Sequence, residues 1–513
     1  MNVGLAITRN AVKRPDSPAV IGETPLTYSE LDKTTNRIAN LVAKKYGLKP
    51  GERIAVLLAN RSEIVELLGG VAKGGYVYVG LNFRLGSVEL QQIFENAEPA
   101  LVITDTEHSK QLEPVVEKSV IPIIDIDEPE WRSTLDSMTS EAPPTLHATR
   151  SDDDFCIVYT SGTTGRPKGV LFDHNRSLHH ALVTCLEYEI NHESRYLIQI
   201  PHNSSVNITI VPCLIAGASL GFEDSRNFDP INYAQKVEHL GITHSFLVPT
   251  QLMRLLDRLP ENSDHQLTGL ITLGYGSSPI SPDRLRELVR RFGPIFNQLY
   301  GMAEIASIGT ILSKEDHIAG LNTKPELLAS CGRPSYGVDV QVVDSDKNPV
   351  DVGSRGEVIF AGPHVMKCYY RDEDRTQEVL IDGWMHSGDV AVLDPEGYIY
   401  IVDRLKNLII RGGLNIAPTE IENVLYRHPA VLEASVVGAP DPDWGEAIIA
   451  FVALREGLSI DTEDLRLHCR QSELTSIKIP ERIEIIDSLP KNAVGKIDKQ
   501  ALRDQLWGDG RKV

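Results

Sequence analysis

The chain contains the stretch Tyr159-Thr-Ser-Gly-Thr-Thr-Gly-Arg-Pro-Lys-Gly-Val170, which brings glycines, hydroxyls and a lysine together in twelve residues. Its glycines permit backbone conformations that a side chain forbids, and its hydroxyls and cation can donate to an anion. The apolar run 155–158 precedes it and predicts a buried strand, so we expect the loop at a sheet edge, where nucleotide sites usually lie. The spacing is not that of a Walker loop, because Lys168 stands three residues after Gly165. We interpret the stretch as a polyphosphate-binding loop with these contacts: Thr160, Ser161, Gly162, Thr163, Thr164, Gly165 and Lys168.

Four further motifs follow along the chain. They are Gln298-Leu-Tyr-Gly-Met-Ala-Glu304, His386-Ser-Gly-Asp389, Asp403-Arg-Leu-Lys-Asn-Leu-Ile-Ile-Arg-Gly-Gly413 and Pro490-Lys-Asn-Ala-Val-Gly-Lys496. With the loop, they resemble the signature of the adenylate-forming (AMP-binding) superfamily, and in particular its acyl-CoA synthetase and acid–CoA ligase branch. The resemblance covers nearly the whole chain, and five specific motifs in order are much rarer by chance than one.

The resemblance implies a ligase that uses ATP, Mg²⁺ and CoA. A carboxylic acid would attack the α-phosphorus of ATP, pyrophosphate would leave, and the CoA thiol would then displace AMP. Such an enzyme needs positioning and charge stabilisation rather than a protein nucleophile. The resemblance assigns catalytic roles to Lys496, which would lie between carboxylate and α-phosphate, to Lys168, and to Glu304 as the metal ligand.

The remaining motifs imply the adenosine site, the hinge and the CoA site. The adenosine contacts are Gly276, Ser277, Ser278, Pro279, Gln298, Tyr300, Gly301, Asp389 and Arg404. Lys406 matches the position of the hinge residue, and Arg411, Gly412 and Gly413 are expected to contact CoA. Taken alone, Asp389 is more typical of a turn and Arg404 of a surface cation, so these roles depend on the joint order of the motifs.

Two positions in the sequence concern the carboxylic acid substrate and its activation. Ala303 replaces the threonine usual in the family, which removes a hydrogen bond to a charged group worth roughly 1.5–3 kcal/mol. His202-Asn203 resembles a pair found in aryl-acid-activating enzymes and predicts, with Tyr275, an acyl pocket for an aromatic or small polar acid; small to medium chain acids stay open. The alternative is that 202–205 form a polar loop, since Asn and Ser readily occupy turns.

The composition of the chain limits its possible partners and its cellular compartment. The chain has 513 residues, 42% of them hydrophobic, and a net charge of −20. Without a basic tract, such an acidic chain argues against nucleic acid as a partner, and no long apolar run predicts a membrane span. Six scattered cysteines without a Cys-x-x-Cys pair fit a reduced compartment, and the chain does not end in Ser-Lys-Leu, so we expect a cytoplasmic enzyme.

Alternating strand and helix patterns predict an α/β fold. We expect a large N-terminal domain, residues 1–403, with mostly parallel sheets flanked by helices and a β-rich subdomain at about 337–403. A hinge at 404–406 would lead to a small α+β domain at 407–513 that moves between the two half-reactions.

Several functions remain open on the sequence alone. The leading hypothesis is a free-standing acid–CoA ligase, and the second is an aryl-acid adenylating enzyme that loads the phosphopantetheine of a carrier protein. A luciferase-like oxygenase is disfavoured, and an inactive nucleotide-binding protein would conflict with intact Lys496, Glu304 and Asp389. The sequence leaves open whether the chain forms a homodimer.

Overall fold

The computed structural model describes residues 1–116, 121–160, 166–260, 267–491 and 497–507. The helices are α1 Leu5–Lys13, α2 Tyr28–Tyr46, α3 Glu63–Gly74, α4 Ser87–Ala97, α5 Ser109–Val116, α6 Pro129–Asp136, α7 Thr145–Ala148, α8 His174–Tyr188, α9 His202–Ser205, α10 Val211–Ala216, α11 Pro230–His239, α12 Pro249–Arg258, α13 Pro282–Phe292, α14 Lys314–Asn322, α15 Glu373–Val379, α16 Pro418–Tyr426, α17 Thr462–Arg470 and α18 Lys499–Trp507. Short 3-10 helices cover Ala303–Ile305, Pro325–Ala329, Leu405–Asn407 and Ser476–Lys478, and a π-helical segment covers Val206–Ile210.

The strands alternate with these helices through most of the chain. They are β1 Pro18–Val20, β2 Leu26–Thr27, β3 Arg53–Leu57, β4 Val77–Leu81, β5 Leu101–Thr104, β6 Ile123–Asp125, β7 Asp154–Thr160, β8 Lys168–Asp173, β9 Arg195–Ile198, β10 Ser219–Phe222, β11 His244–Leu247, β12 Thr272–Gly276, β13 Phe296–Tyr300, β14 Thr310–Leu312, β15 Arg333–Pro334, β16 Asp339–Val343, β17 Arg355–Ala361, β18 Cys368–Tyr369, β19 Leu380–Ile381, β20 Trp384–Leu393, β21 Ile399–Arg404, β22 Ile409–Arg411, β23 Leu414–Ile416, β24 Val431–Asp441, β25 Gly445–Leu454 and β26 Arg482–Ile485.

The chain forms two compact units. The first comprises Met1–Val340 and Phe360–His386, and the second comprises Gln341–Ile359 and Ser387–Val513. The predicted bend at 404–406 concerns motion during the reaction and stays a prediction.

Two large sheets build the first unit. A nine-stranded sheet has the order β15-β14-β13-β12-β11-β9-β10-β1-β2, and a seven-stranded sheet has the order β18-β8-β7-β4-β3-β5-β6. The inner pairings from β13 to β1, and from β7 to β6, are parallel, whereas antiparallel strands occur at the ends. This confirms the predicted α/β class with mostly parallel sheets.

Helices cover both faces of these sheets, as parallel strands require. Helices α11 to α13 bury their apolar faces against β11 to β13 in one core, and α4 and α5 pack on β3 to β5 in another. Helix α8 contacts both sheets, because the His174 ring lies 5.0 Å from the Phe155 ring while Tyr188 O accepts from Thr272 Oγ1. The interior between the sheets therefore contains helix rather than loop.

The second unit contains a small antiparallel sheet with the order β23-β22-β25-β24, and β26 pairs in parallel with β25. Helices α16 and α17 pack on one core of this sheet, and α18 packs on a second core with Leu489. The predicted α+β character of this part is confirmed.

All six cysteines are free thiols. Among the described residues, no helix has both the length and the apolar character needed to span a membrane.

Candidate active site

The predicted phosphate-binding loop connects two antiparallel strands. Strand β7 ends at Thr160, β8 begins at Lys168, and these two residues are paired in register. The pairing brings one predicted donor and the predicted cation side by side at the base of the loop. The other predicted contacts of the loop lie outside the described residues: Ser161, Gly162, Thr163, Thr164 and Gly165.

Lys168 and Glu304 meet through a third residue, Tyr369. Lys168 Nζ lies over the Tyr369 ring, 5.0 Å from its centroid, and the Tyr369 hydroxyl donates to Glu304 Oε1 at 2.5 Å. Burial, together with the charge of Glu304 and the hydrogen bond to it, raises the pKa of Tyr369 far above its usual value, so the hydroxyl remains a donor. Sequence reasoning missed Tyr369, because it belongs to none of the motifs; it arrives there because β18 pairs with β8.

Glu304 is suited to bind a hard cation. It is 7% exposed, and its carboxylate offers oxygen of the kind that Mg²⁺ prefers. One protein carboxylate fits Mg²⁺, because this ion usually takes one or two carboxylates and completes its shell with water and substrate phosphates.

The backbone after Glu304 is strained. Ala306 and Ser307 have φ values of 49° and 80°, a left-handed region that is costly for residues with a Cβ. A Cβ on Gly301 would come 2.5 Å from Ser307 O, so this turn requires the glycine of the motif. Such strain persists only where the surrounding structure determines it.

The predicted adenine-binding segments lie together. Strands β12 and β13 are parallel neighbours with Gly276 paired to Leu299, so Ser277 to Pro279 and Tyr300 with Gly301 leave the sheet at one edge. A Cβ on Gly276 would come 2.5 Å from Leu299 O, which explains the glycine. The Tyr300 ring lies 6.0 Å from the Phe360 ring, centroid to centroid.

The Tyr275 side chain lies on the other face of β12. It is 1% exposed in the core formed with Phe296, and its hydroxyl lies 2.8 Å from His317 Nε2 and 2.9 Å from the side-chain amide of Gln298. Burial lowers the pKa of His317 to about 4, and its Nδ1 lies 2.6 Å from Ser313 O, so Nδ1 carries the proton of the neutral ring, while the Tyr275 hydroxyl donates to Gln298 Oε1. Tyr275 therefore orients Gln298, a role that the sequence pattern did not indicate, and its place in the acyl pocket stays a prediction.

His202 and Asn203 begin a buried helical segment. The His202 ring is fully buried, its Nδ1 lies 2.9 Å from the Tyr78 hydroxyl, and burial lowers its pKa to about 4. Asn203 is 7% exposed, and its Oδ1 is buried without a hydrogen-bond partner in the described structure. A Cβ on Gly80 would come 2.9 Å from Asn203 Cα, so β4 holds the start of this helix closely. The alternative of a polar surface loop is wrong, since both side chains are buried in a helix.

In the second unit, Asp389 and Arg404 are paired across β20 and β21. Arg404 Nε lies 3.1 Å from Asp389 Oδ1, and Asp389 is 8% exposed. The Ser387 hydroxyl accepts from Asp389 N at 3.0 Å and donates to Val358 O. A carboxylate held in this way presents fixed acceptors, which suits the predicted contact with ribose hydroxyls.

The predicted hinge is attached to the second unit by its neighbours. Asp403 accepts from Thr419 N and Thr419 Oγ1 at 3.0 and 2.8 Å, which ties it to the N-terminus of α16. Lys406 O accepts from Arg503 Nη1 of α18 at 3.2 Å. Rotation about the chain here would change contacts with both helices.

Arg411, Gly412 and Gly413 form a tight hairpin between β22 and β23. Arg411 is paired with Leu414, and the two glycines have φ values of 56° and 79°, as a two-residue turn of this type requires. The Arg411 guanidinium lies 5.4 Å from the centre of the Trp444 ring. Lys496, the predicted catalytic lysine, lies outside the described residues.

Comparisons with known proteins identify the family of the chain. The family model of the AMP-binding enzyme matches residues 7–370, and that of the AMP-binding enzyme C-terminal domain matches residues 420–496. The chain belongs to the AMP-binding enzyme family. It is similar to three described proteins, as follows: feruloyl-CoA synthase of Amycolatopsis sp (36% identical over 499 residues, 96% of this chain and 97% of that protein), medium/long-chain-fatty-acid–CoA ligase FadD8 of Mycobacterium tuberculosis (34% over 536 residues, 98% and 90%), and the structure of o-succinylbenzoate CoA synthetase from Bacillus subtilis with an acyl-adenylate intermediate (29% identical, TM-score 0.85, 99% and 98%). The predicted AMP-forming acid–CoA ligase activity is confirmed.

Replacing Tyr369 tests whether its contacts with Lys168 and Glu304 contribute to adenylate formation. We expect Tyr369→Phe to slow adenylate formation about 10- to 100-fold, because a hydrogen bond to a charged group is worth roughly 1.5–3 kcal/mol. The measurement is acid-dependent pyrophosphate release at several Mg²⁺ concentrations. Tyr370→Phe is the matched control, since the ring of that tyrosine lies beside Arg371 instead. Equal rates for the two variants would remove Tyr369 from this role.

Proposed function

We propose that this acid–CoA ligase acts on an aromatic acid with a polar ring substituent. In the first step a carboxylate oxygen attacks the α-phosphorus of ATP, the bond to the β-phosphate oxygen breaks, and pyrophosphate leaves. In the second step the CoA sulfur attacks the acyl carbon, AMP leaves, and the thiol proton passes to solvent. Both steps join and separate anions, so the enzyme must supply fixed positive charge and donors.

Each charged residue has one proposed task. Lys168 and the hydroxyls of 160–164 bind the leaving pyrophosphate, and Lys496 neutralises charge between the carboxylate and the α-phosphate. Glu304, oriented by Tyr369, would hold Mg²⁺, which lowers the repulsion between phosphate oxygens when bound. Asp389 binds the ribose hydroxyls, and Gln298 and Tyr300 contact the adenine.

The proposed acid follows from buried polar atoms without partners. Asn203 Oδ1 and Asn207 Oδ1, four residues apart on one helical segment, both lack a hydrogen-bond partner in the described structure. The ring of His180 lies near the backbone of Asn207 and Ala306, and burial lowers its pKa to about 3, so it stays neutral. Buried polar groups are almost always satisfied in native proteins, so these two carboxamide oxygens without partners support a polar ligand that binds beside them.

The π-helical segment supports this assignment. It covers Val206–Ile210, beginning three residues after Asn203, and it replaces the regular helical hydrogen bonding at Asn207. Such segments occur mostly as single turns inside helices and are frequent at functional sites. A ring substituent such as a hydroxyl would donate to one carboxamide oxygen while the apolar ring remained in the protein interior.

The variant Asn203→Leu tests the proposed preference for a hydroxylated aromatic acid. We expect the preference to move from hydroxylated toward apolar acids by a factor of roughly 10–100, because a buried substrate hydroxyl would lose its partner. The measurement is kcat/KM for paired acids with and without the ring hydroxyl, scored by pyrophosphate release. Ser204→Ala is the control, since Ser204 is exposed on the same helix. An unchanged acid profile for Asn203→Leu would place Asn203 outside the pocket.

A panel of benzoates, hydroxycinnamates and C2 to C12 fatty acids tests the proposal as a whole. The expected result is the largest kcat/KM with a hydroxylated aromatic acid; a preference for a fatty acid would contradict it.

We further propose a cytoplasmic enzyme, from the acidic composition and the free thiols. Replacing CoA with a phosphopantetheinylated carrier protein tests whether such a protein is an acceptor. Measuring the mass of the protein in solution tests whether it forms a homodimer.

A further inference from the structure

One helix of the first unit exposes a line of side chains with an apolar centre and polar ends. The exposed residues of α8 are Asn175, His179, Leu182 and Leu186, and Glu189 follows at its C-terminal cap. They are spaced by four and three residues in alternation, which places them on one side of the helix in the pattern that packs two helices together. Leu182 and Leu186 are 53% and 65% exposed, so no other part of the described structure covers this apolar centre.

A cavity lies beside this line. Its volume is about 310 Å³, and the residues that line it come from α8, from α10 and from the N-terminus with α1: Met1, Arg9, Asn175, Leu178, His179, Leu182 and Ile215. On α1, Val12 lies one turn after Arg9 and is 79% exposed. The leucines of α8 therefore border a concave and partly apolar surface, which is the kind of surface that receives another helix.

The charged residues around this surface are separated by sign. Arg9 lines the cavity together with Asn175 from the first turn of α8, and it takes part in no ion pair among the residues that the structure describes. At the opposite end, the Glu189 side chain is 58% exposed and accepts from Lys314 Nζ at 2.9 Å. An exposed carboxylate has two oxygens and can accept from a second donor. The surface therefore has a cation at one end, leucines in its centre and a carboxylate at the other end.

We propose that this face binds the same face of a second copy of the chain. In a two-fold dimer centred on Leu182, the two α8 helices are antiparallel, and each residue after Leu182 lies opposite one at the same distance before it. Leu186 then packs on Leu178 of the partner subunit. Glu189 lies opposite the first turn of the partner's helix, beside the partner subunit's Arg9. The symmetry thus brings the carboxylate of each copy to the unpaired cation of the other.

Charge and size favour a second copy over other occupants. The two ends have opposite charges, so the antiparallel arrangement that a two-fold axis imposes is attractive, and the helix dipoles are antiparallel as well. A membrane surface would meet both signs of charge at once, and the net charge of −20 opposes binding to anionic lipids. Helix α8 has 15 residues and is about 22 Å long, so we expect a small interface and a dimer that dissociates at micromolar concentrations.

Sedimentation velocity of the full chain at increasing concentration tests the proposal. We expect the mass to rise from that of one chain, 56.7 kDa, toward twice this value. The variant Leu182→Glu should raise the dissociation constant at least about tenfold, because two carboxylates would meet on the axis. Ile231→Glu is the matched control, since Ile231 is 45% exposed on α11 and does not line this surface, and it should dimerise like the parent.

Two further sets of variants test the symmetry. A residue on a two-fold axis contacts its own copy, so Leu182→Cys should form a cross-linked dimer on oxidation, whereas Ile231→Cys and the parent chain should not. Glu189→Arg should weaken the dimer. The double variant Arg9→Glu/Glu189→Arg should restore it, because the pair of opposite charges is then present in reversed order.

The outcomes separate this proposal from its alternatives. It is wrong if the chain stays at 56.7 kDa up to the highest soluble concentration, or if Leu182→Glu dimerises like the parent. Binding of a monomeric chain to phosphatidylcholine vesicles, lost in Leu182→Glu, would overturn it in favour of a membrane-binding face. All of these variants should release pyrophosphate at the parent rate, so a failure of this proposal is distinct from a failure of the proposed function.

Discussion

Lys496→Ala is expected to abolish adenylate formation while leaving thioester formation from synthetic acyl-AMP intact. Its ammonium is needed only while the carboxylate and the α-phosphate, both negative, approach each other. Loss of one such group typically lowers the rate roughly 10²- to 10³-fold. The two half-reactions are measured separately, by pyrophosphate release from acid and ATP and by CoA thioester formation from acyl-AMP.

Lys491→Ala is the matched control for this prediction. Lys491 lies five residues earlier and pairs with Glu433 at 2.7 Å, so its removal makes the same change in net charge without touching the reacting groups. We expect near-parent rates in both half-reactions. Equal damage by Lys496→Ala to both half-reactions would contradict the assigned role.

Lys406→Pro is expected to block the second half-reaction selectively. Proline fixes φ and restrains the preceding residue, and Lys406 lies in the short helix Leu405–Asn407 that the structure attaches to α16 and α18. If the small domain moves about this point between the half-reactions, proline hinders the motion while adenylation proceeds. Acyl-AMP should then accumulate.

Rapid-quench measurement of acyl-AMP and acyl-CoA at saturating acid, ATP and CoA tests this directly. Lys406→Ala is the control, because it removes the side chain and leaves backbone rotation free. We expect Lys406→Ala to form thioester at a rate near that of the parent. Thioester formation at the parent rate by Lys406→Pro would mean that Lys406 is not the pivot.

Local patterns predicted much of the fold. The segments 28–46 and 282–292, whose apolar positions repeat with helical spacing, form helices α2 and α13, and the apolar runs 54–58 and 243–248 overlap strands β3 and β11. The two compact units divide the chain at other residues than the predicted boundary. Composition shifts mark where the character of the chain changes, whereas compact units depend on which distant strands pair.

The candidate site divides in the same way. Motif spacing selected Lys168, Glu304 and Asp389 as candidates, because a chemical task requires particular residue types at fixed separations. It did not indicate the face of a strand on which a side chain lies. Tyr275 packs in the core on one face of β12, whereas a Cβ on Gly274 would contact Tyr188 on the other face. Successive residues of a strand point to opposite faces, so a motif within a strand contributes to both.

The sequence by itself determined the family, the order of the strands and helices along the chain and the residue types that the chemistry needs. Only the tertiary structure placed Tyr369 between Lys168 and Glu304, buried Asn203 Oδ1 and Asn207 Oδ1 without a hydrogen-bond partner among the described residues, and brought Arg411 to Arg466 and Arg470. These arrangements join residues distant along the chain through strand pairing and helix packing. Local sequence patterns do not predict such pairings, because the pairings depend on how the whole chain buries its apolar surface.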